Sequence, residues 1–235
     1  MTVTTIRENV LRLRERMASA AANTGRSAEE ITLIGVSKTH PAAAIREAYE
    51  AGLRHFGENR VQEWEGKRGE LEDLQAMWHL IGHLQSNKAA RAAKVFTALD
   101  SIDDLALAQR VDRAFAEKQA VEPMRVLVEV RLGGEETKSG VSEGELPELA
   151  EKVAQLANLN LAGLMCIPPY LEDPEKVRPY FARLREMRDQ MEARLRRQLP
   201  VLSMGMSHDF EAAIREGATE VRVGTALFGA RPAVK

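Results

Sequence analysis

Lys38 closes the apolar run ITLIGVSK (31–38), where alternation puts it on one face with Ile34 and Val36. If that face lines the inside of a barrel, the amine stands at its mouth, where desolvation lowers its pKa and fits it to form a Schiff base with an aldehyde. A lysine ending an apolar strand also serves as a snorkelling surface residue, so Lys38 alone does not decide the chemistry. Near the C-terminus, the apolar TEVRVG is followed by TALFG, which sets Gly224 and Thr225 at the start of a short helix. Backbone N–H groups there form an anion site, and glycine lets a phosphate approach closely. Arg222 shares its alternation with Gly224. One segment earlier, SMGMSHDF offers Ser207 as a donor to the same phosphate and Asp209 as an N-cap for the next helix. Either loop alone reads equally well as helix capping; two loops carrying glycine and hydroxyl donors favour phosphate.

These residues need elements to hold them. Ile6, Val10, Leu13 and Met17 recur at helical spacing, so a helix over about 3–24 leads the chain. Apolar runs at 31–38, 53–57, 77–82, 95–101, 124–132, 159–167, 200–205 and 219–224 then alternate with helical patterns. The helices are expected from Pro41 to Gly52, Asn59 to Leu74, Asn87 to Ala93, Asp103 (as cap) to Lys118, Leu146 to Ala157, a long one ending near Leu199, Asp209 to Gly217, and Thr225 to Phe228. Alternation of this kind implies parallel strands with crossover helices. Eight units fit a single (β/α)8 TIM barrel over about 31–231, one domain spanning 1–235. A doubly wound open sheet is the rival, disfavoured because no GxGxxG follows the first strand and no linker divides the chain. In a barrel, function gathers at the C-terminal strand ends, where the polar segments GENRVQE (57–63), GHLQSNK (82–88), GGEETKSG (133–140) and MCIPPY (165–170) also fall.

Composition narrows the class. The 235 residues bury about 70% of their unfolded surface on folding, enough for a sizeable core. With 33 basic and 35 acidic residues the net charge is −2, and no basic block marks a nucleic-acid binder. The arginines of PEKVRPYFARLREMRDQMEARLRRQL alternate with acids around an apolar stripe and read as a solvated helix face. One cysteine, Cys166, excludes an internal disulfide framework and suits a reducing cytoplasm. No apolar run approaches a bilayer span, and the N-terminus has no signal core. His79 and His83 are four apart, but Gly82 and the strand-to-loop change between them spoil helical zinc geometry, so no metal is expected. No GxSxG occurs and Cys166 has no evident His partner, so nucleophilic hydrolysis is unsupported.

VSKTHP (36–41), FGENRVQE (56–63), WHLIGHLQSNK (78–88), EETKSG (135–140), GLMCIPP (163–169) and the stretch 203–231 resemble the pyridoxal phosphate homeostasis protein family (YggS/PROSC type). The matches run in order over nearly the whole chain. That family's fold is a single barrel similar to the N-terminal domain of alanine racemase. The resemblance implies that Lys38 holds pyridoxal 5′-phosphate (PLP) as a Schiff base, and that Ser207, Gly224 and Thr225 bind its phosphate. It also implies that Arg222 faces the pyridine nitrogen, Asn59 lies near the ring, Met165 lines the pocket and Lys138 lies near the phenolic oxygen. The segment VEVRLGGEE departs from the commoner asparagine-containing pattern.

A guanidinium stays protonated and can only donate to a pyridine nitrogen, leaving the ring a poorer electron sink than one paired with a carboxylate. Racemases of related fold add a second base, a tyrosine from another domain; here the tyrosines are Tyr49, Tyr170 and Tyr180, none in such a domain. The expected function is therefore a non-catalytic, cytoplasmic, monomeric PLP-binding protein that sequesters the cofactor and passes it to apo-enzymes. The alternatives are a PLP-dependent amino-acid racemase using Lys38 as its base and, from another class, a phosphosugar aldolase.

Overall fold

The computed structural model describes residues 5–133 and 139–229. Helix α1 (Ile6–Ala22) begins at a capping box, in which the Thr5 hydroxyl accepts the Glu8 N–H and the Glu8 carboxylate accepts the Thr5 N–H. Strands and helices then alternate: β1 (Thr32–Val36), α2 (Ala42–Glu50), β2 (His55–Glu58), α3 (Val61–Lys67), β3 (Met77–Leu80), α4 (Ala89–Val95), β4 (Ala98–Ile102) and α5 (Leu105–Ala116). The second half continues with β5 (Met124–Glu129), α6 (Leu146–Val153), β6 (Leu159–Met165), α7 (Arg178–Leu195), β7 (Val201–Ser203), α8 (Phe210–Arg215), β8 (Glu220–Val223) and α9 (Thr225–Phe228). All neighbouring strands are parallel, and β1 pairs with both β2 and β8, closing the eight-stranded barrel. The open sheet is thereby excluded.

Boundaries move where local chemistry intervenes. Helix α3 stops at Lys67 and passes into a 3-10 turn at Arg68–Leu71, because Gly66 and Gly69 interrupt the stretch expected to run helical to Leu74. Helix α5 is capped by Asp104 rather than Asp103; the Asp104 carboxylate accepts the Leu107 N–H at 2.7 Å. Helix α7 ends before Leu199, where Arg196 enters the left-handed region at φ 51°.

Outward-facing residues such as Leu33, Phe56, Trp78, Leu99, Val126 and Leu161 form one core beneath the helices. Inside the barrel, residues in register share a face: Val36 pairs with Gly57, Gly57 with His79, His79 with Ala98, and Ala98 with Arg125. A Cβ on Gly57 would lie 2.9 Å from Ile81 and 3.1 Å from Ile34, so the inner wall is closely packed there.

The floor of the barrel is ionic. His79 Nδ1 lies 3.0 Å from Asp100 and its Nε2 3.0 Å from His55 Nδ1. Arg125 donates to Glu220 at 2.7 Å and approaches Asp100 at 3.5 Å and His79 Nδ1 at 3.0 Å. His79, Asp100 and Glu220 bring ligand-type atoms within 4.8 Å of one another. The Arg125 guanidinium already supplies the positive charge a metal would bring, so the group is an ion network. Burial alone would raise Asp100, but His79 and Arg125 hold it below the usual carboxylate range. Burial, with His79 and Arg125 nearby, depresses His55 to about 4.

Two predictions follow from these contacts. The unfolded chain protonates His55 near its ordinary 6.5 and the folded chain only near 4, so stability present above pH 6.5 falls as the pH drops toward 4. Urea midpoints measured across that window should decline, and His55→Gln should flatten the slope. Separately, the buried Asn9 side chain donates to Leu227 O at 2.8 Å, tying α1 to α9. Asn9→Ala leaves that carbonyl without its donor and should lower stability by about 1–3 kcal/mol in the same assay.

Candidate cofactor-binding site

Lys38 does not end β1. It lies just beyond, half-buried, in a turn closed by the His40 N–H donating to Ser37 O at 3.1 Å. Thr39 takes a left-handed φ of 65° within that turn, a conformation that costs a non-glycine residue about 1–2 kcal/mol. The Ser37 N–H donates to Gly57 O at 3.0 Å, so the turn rises directly from the barrel rim.

Arg222 sits in register with Ile34 on the inner wall and is 3% exposed. Its guanidinium donates to Ser203 Oγ and to Cys166 O, each at 2.8 Å, which fixes its plane and leaves further N–H groups for a ligand. The Cys166 thiol, buried beside it, is pushed up to about 12 by desolvation and stays protonated. Ser207, in the loop after β7, accepts the Ala226 N–H at 3.3 Å, so the two loops expected to share a phosphate do meet. Gly224 precedes α9, and the Thr225 N–H opens it with no partner inside the helix. Asp209 does not cap α8 through its side chain; its carboxylate accepts the Met206 N–H at 2.6 Å and holds the loop carrying Ser207. Gly205 in that loop has φ 92°, and a Cβ there would lie 2.6 Å from Ala213. No side chain fits.

Asn59 follows β2, and its buried Oδ1 has no donor among the described residues. Met165 ends β6 fully buried, packed inside the barrel with Leu127 and Ala162. Lys138 lies outside the described residues. The others fall at the ends of β6, β7, β8, β1 and β2, a continuous arc of the C-terminal rim.

Three groups escaped the sequence reading. Ser203 and the Cys166 carbonyl orient Arg222, and Glu129 extends the arc at the end of β5, paired in register with Met165. A charged residue within VLVEV was the available signal for Glu129, but only barrel closure makes its direction meaningful. Burial and the Asp103 carboxylate raise Glu129 to about 7, against the opposing pull of Arg222 and His83. A raised carboxyl pKa gives stability that is full below 4.5 and lost as the pH rises through about 7. Carboxyl titration by carbon-13 NMR should show this midpoint, and Glu129→Gln should abolish it. The variant's stability relative to wild type should increase from pH 5 to pH 8.

Known proteins resemble the chain over nearly its whole length. The model of the alanine racemase N-terminal domain matches residues 3–232. A pyridoxal phosphate homeostasis protein of Aquifex aeolicus is 48% identical over 224 residues, covering 95% of this chain and 97% of that protein. One from Pseudomonas aeruginosa is 48% identical over 229 residues, covering 97% of each. The solved structure of PipY from Synechococcus elongatus with PLP bound superposes with a TM-score of 0.85 at 40% identity, covering 96% of this chain and all (100%) of that one. An alanine racemase of Clostridium difficile shares the fold, with a TM-score of 0.71 at 17% identity; 97% of this chain matches 57% of that one. The chain belongs to the pyridoxal phosphate homeostasis protein family, which is built on the alanine racemase N-terminal domain.

Proposed function

We propose that this protein binds PLP on the rim arc between β6 and β2 and serves PLP homeostasis in the cytoplasm, as a monomer that sequesters the cofactor and delivers it to apo-enzymes. The relatives' shared name and the PLP in the PipY structure support this reading. The observation that carries it is the placement of a lysine, a buried arginine and a Ser207–α9 donor set on the adjacent strands β1, β8 and β7. Such a donor set suits an aromatic aldehyde bearing a phosphate. The Ser207 hydroxyl and the Thr225 N–H offer neutral donors to the phosphate, Arg222 offers N–H groups to a ring nitrogen, and Asn59 Oδ1, without a donor among the described residues, is free to accept a hydrogen bond.

When bound, PLP supplies an aldehyde carbon that Lys38 captures as a Schiff base. The chain's own contribution is largely orientation. Arg222, always protonated, can only donate, so it keeps a ring nitrogen it faces unprotonated and the ring a weak electron sink. That supports holding the cofactor over turning over amino acids. Met165 shapes the wall, and Lys138 is assigned to the phenolic oxygen. No helix among the described residues is long and apolar enough to cross a membrane.

Purified protein should show the visible absorbance of lysine-bound PLP, and borohydride should fix the cofactor to the peptide containing Lys38, as read by mass spectrometry. Lys38→Ala should lose both signals; retention of either removes Lys38 from the role. The same sample, offered a panel of L- and D-amino acids, should show no sustained turnover, and robust turnover would establish the racemase reading.

A further inference from the structure

We infer that Lys67, together with Glu63, is a positioning pair for Lys38, clasping from beneath the turn that carries it. This inference rests on the assignment of Lys38 as the cofactor lysine.

The Lys67 Nζ lies 3.0 Å from Ser37 O and 3.3 Å from His40 O, the carbonyls flanking Lys38 on either side. It also lies 2.7 Å from Glu58 Oε1 and 3.2 Å from Glu63 Oε1. Glu58 is fully buried and additionally accepts the Ser37 hydroxyl at 2.5 Å. Glu63 accepts the Thr39 N–H, the amide of the residue with left-handed φ. Ser37, Thr39 and His40 are therefore gripped through their backbones by this cluster. The opposite side is held as well, because the His40 ring stacks on Phe228 of α9 at 4.8 Å.

The cluster is poorly explained as a device for attaching α3. A buried ion pair commonly adds no more stability than apolar residues of the same volume. Helix α3 has an apolar anchor already: Trp64 stacks on Trp78 at 3.9 Å and donates its indole N–H to Val95 O at 2.8 Å. Trp64 and Lys67 are three residues apart and share a helix face, so that anchor fixes where the ammonium sits. An apolar side chain at position 67 cannot satisfy two inward-turned carbonyls. An ammonium, with three donors and no acceptor, can. Without it, the Ser37 and His40 carbonyls lose their donor and the backbone that aims Lys38 loses its restraint.

The test begins with wild-type protein loaded with PLP; absence of the lysine-bound absorbance there refutes the Lys38 assignment itself. In Lys67→Met/Glu58→Gln, both partners of the buried pair are neutralised, so neither charge is left orphaned. PLP attachment, followed by absorbance, should slow at least tenfold, and PLP loss should quicken by a similar factor. In the PLP-free protein, acetic anhydride labelling read by mass spectrometry should change the ratio of Lys38 to exposed Lys94 at least threefold. A merely structural role would lower the melting temperature and leave that ratio unmoved. Glu63→Ala leaves the Lys67–Glu58 pair in place and should slow attachment about threefold; it decides the matter alone if the double variant does not fold. Folded variants with wild-type attachment rates and labelling ratios overturn the inference.

Discussion

Closure of a parallel barrel forces half of each strand's side chains into a space that water cannot freely enter, and in this protein that space contains ions. His79, Asp100, Arg125 and Glu220 come from β3, β4, β5 and β8, so the network crosses the floor and links strands that are not neighbours. Leaving any one charge without its counterpart would be expensive, which makes the arrangement all-or-none. Directly above, Arg222 is held by Ser203 and the Cys166 carbonyl, and the rim residues stand on that layer. The floor thus fixes the strand positions from which the site is built.

The barrel was readable from alternation, because parallel strands buried on both faces form apolar runs of distinctive length between amphipathic helices. The meeting of the loops after β7 and β8 was also readable, since glycine and hydroxyl residues at strand ends have a local chemical meaning. Contacts between distant strands were not readable. Arg125 and Glu220 look like isolated charges in the sequence, and only the closed register brings them within 2.7 Å. Glu129 is hidden for the same reason, and Asp209 misled because its carboxylate serves its own loop instead of the following helix.

The rim also divides by charge. The arc from β6 through β8 to β1 offers donors, whereas the ends of β4 and β5 bring Asp103 and Glu129 together with His83 beside them. The phosphate of the proposed cofactor would fall on the first side. The second side, with a carboxyl group titrating near 7, makes the local field responsive to pH in the range where cells operate.

Asn9 of the first helix grips the last turn of α9, while Lys38 follows the first strand and Gly224 the eighth. The order of synthesis follows from this stitching. A ribosome releases Lys38 early, but the loop that would receive a phosphate emerges only after the circuit of strands is complete. If PLP binds as proposed, its retention would await the finished barrel.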